Sequence, residues 1–94
     1  MSKNEPLKLI EGEFSYDDAK EILMNVFSAK IQYHKLKNFS MQERFGKEDE
    51  LAKNRILALK KEIVKFQKMI SEAEASDKKI LINSEITISI ANKY

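Results

Sequence analysis

The 94-residue chain has no cysteine and no tryptophan, a single histidine, a single proline and only two glycines. Each scarcity removes a class of function. Without cysteine there is no disulfide framework and no thiolate metal site. One histidine does not build a zinc site alone. Two glycines leave no glycine-rich loop to cradle a phosphate. No metal and no cofactor is therefore expected. The chain also has no run of about 18 apolar residues, the length that spans a bilayer, so no membrane association is expected. The stretch Met1 to Pro6 lacks the apolar core of a secretory signal, and the expected location is cytoplasmic.

Catalytic residues are equally hard to assemble. A histidine base needs an orienting partner. The helical neighbours of His34 at three and four residues are Lys30, Ile31, Lys37 and Asn38, none of them a carboxylate. His34 reads as a half-buried residue at the edge of an apolar stripe. Asp17 and Asp18, and Glu48, Asp49 and Glu50, stand at expected helix starts, where the helix dipole alone accounts for acids. No catalytic residue is assigned, and the chain is not expected to be an enzyme.

What is present is pattern. The length fits one domain, residues 1–94, with 1–6 and 91–94 as frayed termini. The expected fold class is α+β, helix-dominated, in the order β-α-α-β. Leu7 to Phe14 reads as a short strand at about 7–13; Leu7 and Leu9 share one parity, Ile10 and Phe14 the other, and Gly12 marks a bulge or an early end. Ser15 with Asp18 resembles a capping box. Ala19, Ile22, Val26, Ala29, Tyr33 and Leu36 then keep the three-four spacing of a coiled-coil seam, which predicts a helix over about 16–38. Ala52, Ile56, Leu59, Ile63, Phe66, Ile70 and Ala73 repeat that spacing without a break and predict a second helix over about 48–76, with Asp49 and Lys53 as an ion pair one turn apart. Two seams so close in sequence fold back as a long antiparallel hairpin. From 79 to 90 the period drops to two: Ile80, Ile82, Ile86, Ile88 and Ile90 share one face of a strand, which Asn83-Ser84 kinks or, less favourably, turns into a hairpin.

That isoleucine face argues for more than one copy. Burying five such side chains is worth on the order of 7–15 kcal/mol, comparable with the whole stability of an ordinary domain. Two strands make only a marginal sheet. Met24, Phe27 and Ile31 add a further apolar stripe to the first helix. The expected partner is a second copy of the chain, most simply a homodimer whose sheet or four-helix core is completed by oligomerisation, with Ile80, Ile82, Ile86, Ile88, Ile90, Met24, Phe27 and Ile31 at the interface.

The connector 38–47 is the other unusual segment. Phe39, Met41 and Phe45 are too apolar for a solvent loop, and Ser40 with Glu43 reads as another cap, placing one helical turn before Gly46. These aromatics either plug the open end of the hairpin or form a tip that captures an unidentified protein partner, with Phe39, Met41 and Phe45 as anchors and Arg44, Lys35 and Lys37 as polar contacts. Charge is uneven as well. Residues 30–47 carry five positive groups and one negative, whereas residues 1–29 carry three and six. A positive tip and a negative base follow. The function expected is a small non-catalytic interaction or assembly module. The alternative, with less support, is a nucleic-acid-binding hairpin that grips phosphates through its basic tip and the outer face of the second helix.

Overall fold

A cap opens each helix and fixes where the chain reverses. In the computed structural model, which describes residues 5–93, the Ser15 hydroxyl accepts from the Asp18 amide, and α1 runs over Tyr16–Phe45. Gly46 ends it in the left-handed region, at φ 65°, where a residue without Cβ is least strained. Asp49 caps α2, Glu50–Ala75, by accepting from the Ala52 amide. The elements follow the order β-α-α-β, with β1 at Pro6–Phe14 and β2 at Ile80–Thr87 forming a two-stranded antiparallel sheet.

Several boundaries differ from the sequence expectation. α1 continues to Phe45 instead of stopping near 38, because neither Pro nor Gly interrupts residues 38–45; Ser40 lies within the helix. α2 begins at Glu50, since Asp49 is the cap and not part of the helix. For the same reason Asp49 is not the partner of Lys53, whose ammonium pairs with Glu48 and Glu50. The hydrogen bond to Glu48, followed by the charges of Glu48 and Glu50, raises the Lys53 pKa above the ordinary lysine value. β1 already includes Pro6, expected to be frayed; residues 91–93 have no regular structure, and the expectation for 1–4 and 94 falls outside the described residues.

The parity conflict in β1 has a structural cause. Leu7 pairs with Ile86 and Lys8 with Glu85, but Ile10 pairs with Ser84, so the ladder skips Leu9. This β-bulge shifts the alternation by one residue. Leu7 thereby joins Ile10, Gly12 and Phe14 on the face that β2 furnishes with Ile80, Ile82, Ser84 and Ile86. The bulge falls at Leu9 and not at Gly12, which instead adopts φ 144°. Asn83 and Ser84 lie within one continuous strand, paired with Glu11 and Ile10, so β2 neither turns nor splits there. β2 ends at Thr87, leaving Ile88 and Ile90 beyond the ladder.

The largest revision concerns which stripe of α1 meets α2. α2 uses the expected seam: Ala52, Phe66 and Ile70 are buried, and Ile56, Leu59, Ile63 and Ala73 are half-buried. On α1 the first two residues of the expected seam, Ala19 and Ile22, are covered, but from there on the covered row is Leu23, Phe27, Ile31, His34, Asn38 and Met41, while Val26, Ala29, Tyr33 and Leu36 are exposed. Beyond Ile22 the covered row is displaced by about one residue, roughly 100°, from the seam expected. Phe27 packs against Phe66 with ring centroids 5.5 Å apart. Met24, Phe27 and Ile31, expected at a contact between copies, are thus taken up inside the chain. Ala19, Phe66 and Ile70 form the centre of the core, flanked by Phe14, Tyr16, Ile80 and Ile82 at the root of the sheet. The Tyr16 hydroxyl donates to the Lys78 carbonyl at 2.7 Å, tying the start of α1 to the segment that follows α2.

The resulting shape is a slab, 51 × 40 × 15 Å. A helix of 30 residues accounts for about 45 Å of the long dimension. Two helices side by side are far narrower than the second dimension, so the β-ribbon must run across the hairpin. The radius of gyration is 17.2 Å, against about 12 Å for a compact domain of this length.

Candidate tip groove

The connection Gly46–Asp49 is short, and it draws the last turns of α1 against the first turn of α2. The Asp49 amide donates to Asn38 Oδ1 at 2.6 Å, so the polar side chain in the α1 seam serves as the anchor of the reversal. Beside this anchor two concavities share Tyr33, Lys37 and Asp49 and form one groove. The inner part, of about 340 Å³, is completed by Lys30, His34, Leu51 and Arg55. The outer part, of about 530 Å³, is completed by Leu36, Ser40, Met41, Arg44 and Phe45.

Four of the six tip residues singled out in the sequence are therefore brought together: Lys37, Met41, Arg44 and Phe45. Met41 is half-buried at the end of the helical seam, and Phe45 is 64% exposed at the rim. Phe39 is also exposed, at 58%, but it and Lys35 do not line the groove. Exposure of both phenylalanines removes the plug reading: neither fills the open end of the hairpin. The groove adds residues that the connector did not point to. Tyr33 and Leu36 belong to the α1 stripe left bare by the rotation, and Arg55 arrives from α2. Their signal in the sequence was the same heptad spacing that was assigned to the helix pair.

The electrostatics are mixed. Lys37 Nζ sits 5.8 Å from the Tyr33 ring centroid, within the range of a cation–π contact. Among the described residues, the ion pairs involve Lys8, Lys53, Lys65 and Lys79, so Lys30, Lys37, Arg44 and Arg55 present cations to the groove outside any such pair. Asp49 contributes one carboxylate, already engaged at the α2 cap. His34 lies half-buried below, edge-on to Tyr33 at 5.2 Å, and among the described residues its Nε2 has no hydrogen-bond partner. Chemically the groove offers aromatic and aliphatic walls, with several hydrogen-bond donors around the rim.

The second expected surface, the isoleucine face, is divided. Ile80 and Ile82 are half-buried against the hairpin, whereas Ile86, Ile88 and Ile90 are exposed. Among the described residues, no helix is long and apolar enough to cross a membrane. No family model, curated protein or solved structure matches this chain.

Proposed function

We propose that this chain is a non-catalytic assembly module that pairs with itself and captures a protein partner in the tip groove. The observation that carries the reading is unburied surface. The chain exposes 7931 Å² at 10.9 kDa, whereas a compact monomer of that mass exposes about 5,600 Å². The excess is more than one partner of a standard interface contributes, about 800 Å². It includes large apolar side chains at both ends, with Tyr33, Leu36 and Phe45 at the tip and Leu7, Ile86 and Ile88 on the ribbon. An aromatic and an arginine on the rim of an apolar groove are the residue types that dominate protein recognition.

The test separates the two halves of the reading. Light scattering at low micromolar concentration should give a mass above 10.9 kDa; a clean monomer refutes self-assembly. Replacing Arg44→Ala together with Phe45→Ala should leave that mass unchanged and abolish capture of a specific protein from the native host. Retained capture refutes the tip as the docking site.

A second reading rests on the cations Lys30, Lys37, Arg44 and Arg55 in the same groove. They suit a phosphate backbone, and binding would then weaken steeply with salt. A gel shift with tRNA and with short duplex DNA at low salt distinguishes it. The apolar walls and Asp49 favour the protein partner.

A further inference from the structure

We infer that two copies of this chain join through the free edge of β2, giving one four-stranded antiparallel sheet in the order β1-β2-β2-β1. The inference deepens the self-assembly reading above by naming the surface that performs it, and it rests on that reading.

The two edges of the ribbon are not equivalent. β1 is blunted along its length. Pro6 has no N–H to donate, the ladder skips Leu9, and Gly12 departs from extended geometry at φ 144°. β1 also carries Lys8, Glu11 and Glu13. Proline, bulges and charges are the devices by which an edge strand resists pairing. β2 has none of the first two and a single charge, Glu85, over Ile80–Thr87. Its backbone is regular, β-branched and unpaired on the outer side, which is the template that a further strand needs.

The apolar face points the same way. The hairpin covers the sheet from Phe14 and Ile80 as far as Ile10 and Ser84, and stops. Beyond that point Leu7 and Ile86 are exposed, and Ile88 and Ile90 continue the same parity past the ladder. Antiparallel pairing of β2 with its own copy about a two-fold axis near Ser84 or Ile86 places the bare end of one strand beside the covered end of the other. With the axis at Ser84 the partner's Ile82 and Ile80 neighbour this chain's Ile86 and Ile88; with the axis at Ile86 the partner's Ser84 and Ile82 neighbour its Ile88 and Ile90; in either register the partner's hairpin extends over this chain's bare end. Each copy supplies the roof that the other lacks. Centring the axis on Glu85 would set two carboxylates directly opposite each other, which is destabilising, so the axis falls on the isoleucine parity. The opposite face holds the ion pairs Lys8–Glu11 and Glu13–Lys79, with Leu81 exposed among them and Leu9 exposed at the bulge.

The absence of cysteine makes the test clean. Four single-cysteine variants are prepared: Ser84→Cys and Ile86→Cys on β2, Glu11→Cys on β1, and Leu36→Cys on the outer stripe of α1. Each is oxidised mildly and run on a non-reducing gel, with the mass measured in parallel by light scattering under reducing conditions. The expected result is a dimeric mass with a covalent dimer at Ser84→Cys or Ile86→Cys and none at the other two. Ser84→Cys is nearly isosteric, so a folding defect at Ile86→Cys does not remove the test. A dimeric mass with no cross-link on β2 overturns the edge assignment while leaving self-assembly standing, and a cross-link at Glu11→Cys or Leu36→Cys names the surface used instead. A monomeric mass overturns both.

Discussion

Truncating Ile31 should be far more damaging than truncating Leu36, although both belong to heptad-spaced rows on the same helix. Ile31 is 9% exposed and lies in the covered row with Phe27, whereas Leu36 is 59% exposed. Ile31→Ala deletes three carbons, about 2.4 kcal/mol at roughly 0.8 per group, and leaves part of a cavity, for about 2.5–3.5 kcal/mol in all. Leu36→Ala should cost under about 0.5 kcal/mol. At roughly 0.05–0.15 kcal/mol per residue, a chain of 94 residues has on the order of 5–14 kcal/mol to lose. Ile31→Ala therefore removes a large share, with a fall in Tm on the order of 10–28 °C. Urea melts followed by far-UV circular dichroism measure both variants, and a concentration series separates folding from association. Equal losses at every concentration, or a harmless Ile31→Ala, would refute the rotation of α1 and restore the row Ile22, Val26, Ala29, Tyr33 and Leu36 as the helix seam.

Two further outcomes test the backbone. Gly12→Ala should destabilise by about 1–3 kcal/mol, because φ 144° is a region that side-chain-bearing residues rarely occupy, even though the added Cβ meets the Phe14 ring only at an ordinary 3.8 Å; an unchanged melting curve would mean that the strand relaxes there. Asp77→Gly should stabilise by up to about 1 kcal/mol, since Asp77 follows the Ser76 cap of α2 at φ 53° and the Lys78 amide reaches back to the Ala73 carbonyl across it; a loss on urea titration would show that the carboxylate contributes more than the strain costs.

The readability of the sequence varied with how many structures fit one pattern. α2 offers a single apolar row, and that row is its buried face from Ala52 to Ala73. α1 offers two rows one residue apart, both at heptad spacing. Periodicity identifies the helix but does not say which row faces α2; in the structure it is the row that contains Phe27, whose ring meets Phe66. Phe39 and Phe45 were legible as unusual. Their exposure was not, because Ser40 looked like a cap and suggested a compact turn where the helix continues. In β1 the mixed parity of Leu7, Ile10 and Phe14 was itself the trace of the bulge, visible only once β2 supplied a register. The groove drew Tyr33 and Arg55 together across two helices, a proximity that no local spacing encodes.

The slab has a thermal consequence. Among the described residues the buried side chains are Ile10, Ala19, Ile31, Ala52, Phe66 and Ile70, so unfolding one isolated copy uncovers less apolar area than unfolding a compact chain of the same length. The heat-capacity increment scales with that area, and an ordinary chain of 94 residues would show about 1.1–1.4 kcal/mol/K. A single copy should fall below this, with a flat stability curve that changes little between cold and warm. If two copies pair as proposed, a further increment should appear when they separate, as heat absorbed on dilution that grows with temperature. In the proposed dimer, part of the temperature response of this protein would therefore belong to the contact between chains and not to the fold of either one.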